Sequence, residues 1–87
     1  MYNYQEQRST LFTEDGMERF TKIRDHVKQL LDKSGAVTMS KAISVSTGIN
    51  WEMMAAVDYM LEKNEIVEVT GPNVAGQCRV FVKPYNY

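Results

Sequence analysis

The chain has 87 residues, 44% of them hydrophobic, and a formal net charge of −1, with a pI near 5.7. That suffices for one small domain whose stability depends on good packing or a partner, and it excludes the basic balance that gives many nucleic-acid-binding modules most of their non-specific affinity. The single cysteine, Cys78, excludes an intramolecular disulfide framework.

The opening residues MYNYQEQRST lack the basic and apolar regions of a secretory signal, and the apolar runs are far too short to span a bilayer. A cytoplasmic protein with no membrane partner is expected. Residues 1–12 are polar and tyrosine-bearing without a regular period, and read as a flexible arm, extended or disordered. Tyr2-Asn3-Tyr4 is echoed by Tyr85-Asn86-Tyr87 in a C-terminal tail of residues 84–87. The echo is either a coincidence of two frayed ends or a pair of aromatic contacts for a partner or second subunit, since tyrosine is favoured in interfaces.

Thr13 has the position of a helix N-cap, with Glu14 and Asp15 in the first turn, where acids suit the helix dipole. Phe12 and Met17 have the spacing of a hydrophobic staple. Phe20, Ile23, Val27, Leu30 and Leu31 then recur at helical intervals, and Gly35 can supply a left-handed end. The first predicted helix therefore runs from about Glu14 to Ser34. Its polar face mixes signs, and Arg19, Lys22, Arg24 and Lys28 form either a solvated face or a binding patch. His26, the only histidine, borders the apolar stripe, and one His with one Cys gives no metal-site spacing.

Ala36-Val37 can form a very short strand, and Thr38 caps a second predicted helix from Met39 to about Thr47, with Ala42 and Ile43 inward. Gly48 permits a tight turn, Ile49 is expected to be buried in it, and Asn50 is expected to cap the next helix. That third helix runs from about Trp51 to Asn64. Met54, Val57 and Leu61 face the first helix, flanked by Met53 and Met60, which leaves Trp51, Glu52, Ala55, Asp58, Tyr59 and Glu62 outward. Ile66 to Thr70 and Gln77 to Lys83 read as two strands around a Gly/Pro loop, with Cys78, Val80 and Val82 on one face and Arg79, Phe81 and Lys83 on the other. Cys78 reads as a small buried hydrophobe.

Thr38-Met39-Ser40-Lys41-Ala42-Ile43, then Ser46-Thr47-Gly48-Ile49, then Met54, Val57, Leu61 and Ile66-Val67 give a rhythm that resembles the winged helix-turn-helix superfamily over about residues 13–83. Small phage and bacterial regulators look like this, and so do protein-interaction modules. The resemblance implies an α+β winged helix-turn-helix fold, three helices with a small antiparallel β-hairpin wing. It implies a recognition helix offering Asn50, Trp51, Glu52, Ala55, Asp58 and Tyr59, a second helix with Ser40 and Lys41 near phosphate, and a wing that reaches a groove or the backbone. A dimeric, DNA-binding transcription regulator is the use it suggests first. Ser40, Lys41, Asn50, Trp51, Lys63, Arg79 and Lys83 are the residues expected to meet double-stranded DNA.

The charges pull the other way. Residues 51–65 hold one cation, Lys63, against Glu52, Asp58, Glu62 and Glu65, a net of −3, so the presumptive reading helix is the most acidic part of the chain and has no arginine to read guanine. Trp51 and Tyr59, with Glu52, Ala55 and Asp58 around them, instead fit a surface for a protein partner. A plainer alternative packs Trp51 over the preceding turn and Tyr59 on the wing. DNA and protein both stay open as partners. Catalysis is not expected, because no nucleophile–base pair is present. The loop from Gly71 to Gly76 lacks the Gly-Lys-Ser/Thr ending of a phosphate-binding loop, and no cofactor or metal is implied.

Overall fold

The computed structural model describes residues 1–74 and 76–84. In chain order these form α1 (Tyr4–Gln7), a 3-10 turn (Arg8–Phe12), α2 (Glu14–Ser34), β1 (Ala36–Thr38), α3 (Met39–Ile43), α4 (Asn50–Glu62), β2 (Val67–Glu68), a second 3-10 turn (Gly76–Cys78) and β3 (Val80–Val82). The fold is α+β: helices on one face of a three-stranded antiparallel sheet of order β1-β3-β2. Residues 85–87, and with them the C-terminal tyrosine echo, lie outside the described residues.

The helix expected at Glu14–Ser34 is α2, with the same ends. The Thr13 hydroxyl accepts the Gly16 N–H at 2.9 Å. Gly35 closes the helix in the left-handed region (φ 78°), donating its N–H to the Leu31 carbonyl at 2.9 Å. Phe20, Ile23, Val27 and Leu31 form its buried stripe. Phe12, expected to staple against Met17, is half exposed and turns its ring to Tyr59.

The segment before α2 departs from expectation. Instead of an extended or disordered arm, it is helical. The Asn3 side chain accepts the Glu6 N–H to cap α1, and the following 3-10 turn drives Leu11 into the core at 1% exposure. Gly16 makes this approach possible. A Cβ there would sit 2.0 Å from the Thr10 carbonyl oxygen and 2.9 Å from the Leu11 carbonyl group. Helical pieces of four and five residues are too short to display a 3.6-residue period, so the pattern in sequence looked irregular.

The middle of the chain follows the expected order with shorter pieces. β1 extends to Thr38, whose hydroxyl accepts the Lys41 N–H and caps α3. α3 ends at Ile43 rather than near Thr47, and Val45 is exposed. Ile49, expected in the core, is 63% exposed. Asn50 does not cap α4 but begins it, and Ile49 in the cap position makes no side-chain hydrogen bond. α4 is buried around most of its circumference, from Met53 through Asp58 and again at Met60. It packs against α2, α3, α1 and the first 3-10 turn.

The sheet corrects the expected sidedness of the last strand. Gln77 and Cys78 belong to a 3-10 turn, and Cys78 is exposed. Val37, Phe81 and Glu68 lie opposite one another, with Val37 and Phe81 fully buried against the helices. Side chains alternate along a strand, so Phe81 and Arg79 face inward while Val80 and Val82 face out. Phe81 carries the largest apolar side chain of the strand, and burying it sets the register.

Candidate functional site

Of the residues expected on the outward face of α4, two are inside the molecule. Ala55 is fully buried and Asp58 is 8% exposed. Asp58 accepts the Tyr2 hydroxyl at 2.6 Å and two Arg79 guanidinium bonds at 2.8 and 3.2 Å. Arg79 also donates to both oxygens of Glu68, at 2.9 and 3.1 Å, and its guanidinium lies over the Phe81 ring. The Thr70 hydroxyl donates to Glu68 at 2.7 Å and accepts the Val80 N–H at 3.3 Å. A buried polar cluster thus ties the N-terminus, α4, β2 and β3 together, with its charges hydrogen-bonded.

One turn further along α4, Glu62 receives a two-pronged bond from Arg8 at 2.7 and 2.8 Å and a third from the Tyr4 hydroxyl at 2.8 Å. These bonds, Arg8's first, pull the Glu62 carboxyl down to a pKa of about 2. Burial, and then hydrogen bonding to Asp58 and Glu62 respectively, pushes the Tyr2 and Tyr4 phenols up. The Arg79 bonds hold Glu68 below its ordinary value. Burial opposes the charge on Arg79, but its bonds to Glu68 and Asp58 outweigh that and raise its pKa. Tyr59 is not on the β2–β3 connection. It sits edge-on between Phe12 (5.5 Å) and Phe20 (5.2 Å), with Arg8 and Lys63 over its ring. Glu52 pairs with Arg19 at 3.7 Å. Trp51 alone of the expected partner-binding set Trp51, Glu52, Ala55, Asp58 and Tyr59 is substantially open, at 41% exposure.

The seven residues expected to meet DNA do not converge. Ser40 and Lys41 on α3, and Asn50 and Trp51 at the start of α4, are exposed. Lys63 lies at the other end of α4 over Tyr59. Arg79 is locked between Asp58 and Glu68, and Lys83 is bonded to Asp32 of α2. Ion pairs engage six of the ten cations, Arg8, Arg19, Arg24, Lys28, Arg79 and Lys83. Among the described residues, Lys22 and Lys33 on α2, Lys41 on α3 and Lys63 at the end of α4 have no acid within ion-pair distance. His26 places Nε2 3.1 Å from the Lys41 carbonyl oxygen, a bond available to the tautomer protonated there.

The turn between α3 and α4 is the open part of this region. Val45, Ile49 and Trp51 are exposed within seven residues, and Gly48, at φ 133°, makes the bend. Val45, Ser46 and Thr47 border a groove of about 320 Å³ shared with Asp15, Glu18, Arg19 and Lys22 of α2.

Reading the sequence missed a second open surface. Opposite partners across the sheet share a face, so Ala36, Val82 and Val67 form one outer row. Thr38 and Val80 begin a second row, and Val69 joins it by donating its N–H to the Val80 carbonyl at 2.9 Å. Val67 and Val69 are 40% and 58% exposed. The signal is present as two Val-x-Val pairs, but Cys78, read as buried, shares the expected face of Val80 and Val82 and conceals it. Among the described residues, no cluster of three metal-ligating side chains occurs, and no helix is long and apolar enough to cross a membrane.

No protein-family model, curated protein or solved structure matches the chain.

Proposed function

We propose that this chain is a winged helix-turn-helix module that binds another protein, rather than one that reads DNA through α4. The order of helices and strands and the sheet order β1-β3-β2 support the winged helix assignment. One observation carries the choice of partner: the face a recognition helix would place in the major groove is occupied by the molecule's own N-terminal segment. Asp58 and Glu62 are bonded by Tyr2, Tyr4, Arg8 and Arg79. Beside that covered face the α3–α4 turn stays open, where Trp51 and Ile49 offer the rigid or branched apolar side chains that anchor protein interfaces. Asp15, Glu18, Arg19 and Lys22 of the neighbouring helix put both signs beside it, which favours a partner whose apolar contact has a rim of mixed charge. The module acts by binding and not by catalysis.

Duplex DNA is a second reading, favoured by one feature. Thr47 and Asn50 are exposed at the start of α4, as are Ser40 and Lys41 on α3, and α4 has no side-chain cap, so free backbone N–H groups there can meet a phosphate. Titration of the chain against random duplex DNA at two salt concentrations separates the readings. The protein-binding proposal expects no salt-steep association. Binding that weakens steeply with salt, with a slope reduced by about one in Lys41→Ala, establishes DNA contact instead.

A further inference from the structure

The outer face of the sheet lacks the polar covering usual for a solvated antiparallel sheet, whose faces ordinarily alternate apolar-in and polar-out. Its two rows, Ala36–Val82–Val67 and Thr38–Val80–Val69, hold four valines and no charge. The charged residue of β2, Glu68, points the other way and is neutralised by Arg79. β2 is also an edge strand. Val69 spends its N–H on β3, so with the two-residue alternation the backbone groups of Glu68 and Thr70 face outward.

Size and charge indicate what fits there. Three strands span about 10 Å between the outer strand axes, and two same-face residues span about 7 Å along a strand. The width matches a single α-helix, about 10 Å across with its side chains. On the β1 side the face continues into a groove of about 160 Å³ lined by Leu30, Ser34, Ala36, Thr38, Lys41 and Val80. Lys41 is the one charged side chain on that groove, and His26 holds its backbone carbonyl.

We infer that the outer face of the sheet is a docking site for an amphipathic helix of a partner protein, with its apolar stripe on Val67, Val69, Val80 and Val82 and an acidic side chain toward Lys41. This surface is separate from the α3–α4 turn, and either can fail without the other.

The test is a titration of the full ¹⁵N-labelled chain, followed by amide shifts, with two stapled helical peptides about four turns long. Both carry leucines at i, i+3, i+4 and i+7, one flanked by glutamate and the other by lysine. The expected result is movement of the Ala36, Thr38, Val67, Val69 and Val80 amides, with the glutamate-flanked peptide bound about tenfold tighter. Lys41→Ala should remove that preference. The double variant Val67→Thr/Val69→Thr, which keeps β-branched residues in the strand, should weaken binding at least about tenfold. Val69→Thr alone, at the more exposed position, gives a partial loss if the double variant unfolds. Four results overturn the inference: no binding of either peptide at millimolar concentration, equal binding of both, shifts centred on Ile49 to Trp51, or concentration-dependent shifts of the outer face without peptide, which would mean a second copy.

Discussion

At Asp58 three segments distant in sequence meet on one carboxylate: Tyr2 from the N-terminus, Arg79 from the start of β3, and α4 itself. In the sequence Asp58 looks like one of three acids on an exposed helix face, with Glu52 and Glu62, because helical spacing reports which residues share a face and not what later covers it. Its burial removes it from any partner surface and makes it part of the fold. Breaking a buried ion pair from one side leaves the other charge unpaired, at a cost of about 3–5 kcal/mol. Because Glu68 remains on Arg79, Asp58→Ala should fall near the lower end of that range in a denaturant titration. Tyr2→Phe should cost about 1 kcal/mol, and the two losses should not add, since both remove the same hydrogen bond. Additive losses would mean that Tyr2 does not reach Asp58 in solution.

At the scale of elements, α2 and the N-terminal segment stand at opposite ends of legibility. α2 runs 21 residues with a regular apolar stripe, a Thr13 cap and a Gly35 end, each of which leaves a separate mark in the sequence. The segment before it is held by tertiary contacts, Leu11 in the core and Tyr2, Tyr4 and Arg8 on the acids of α4, and no local pattern announces those. The close packing at Gly16 should make Gly16→Ala destabilising by about 1–3 kcal/mol, although alanine is ordinarily the better helix former. A neutral or stabilising result by thermal unfolding would show that the 3-10 turn does not lie against α2.

The same contacts make the segment's attachment depend on pH at both ends. The Glu62 carboxyl is lowered from 4.5 to about 2, so its contribution is present above about 4.5 and is lost as pH falls toward 2. The Tyr2 and Tyr4 phenols are raised above their ordinary 10.0, so their contribution is present below about 10 and is lost as pH rises past it. Amide exchange at Tyr4 to Phe12, compared with α2 as internal reference, should be slowest between these limits. A flat profile across the acid limb would mean that Arg8 and Tyr4 do not hold Glu62.

At the scale of the whole molecule, the order of elements from α2 to β3 was legible, apart from the 3-10 turn at Gly76–Cys78, and the surfaces were not. Helix spacing, caps and Val-rich strands gave the α+β arrangement, and Thr38, Gly35 and Gly48 marked its joints correctly. The candidate site depended on which charges find each other across the fold. Arg79 and Asp58 are 21 residues apart, and Arg8 and Glu62 are 54 apart, separations at which sequence offers no pairing rule. The exposed apolar surface consequently moved from the middle of α4 to the α3–α4 turn and the outer sheet face, and the cations that seemed free for phosphate became partners of acids.

Whether the N-terminal segment covers α4 in solution decides which surface is left for a partner, and nuclear Overhauser effects between aromatic rings test that most directly. With the Phe12 and Tyr59 ring centroids 5.5 Å apart, ring-to-ring cross-peaks are predicted for that pair, accompanied by structured shifts for Tyr4 to Leu11. Random-coil shifts across residues 2–12 with no Phe12–Tyr59 cross-peak would contradict it and return the acidic face of α4 to solvent.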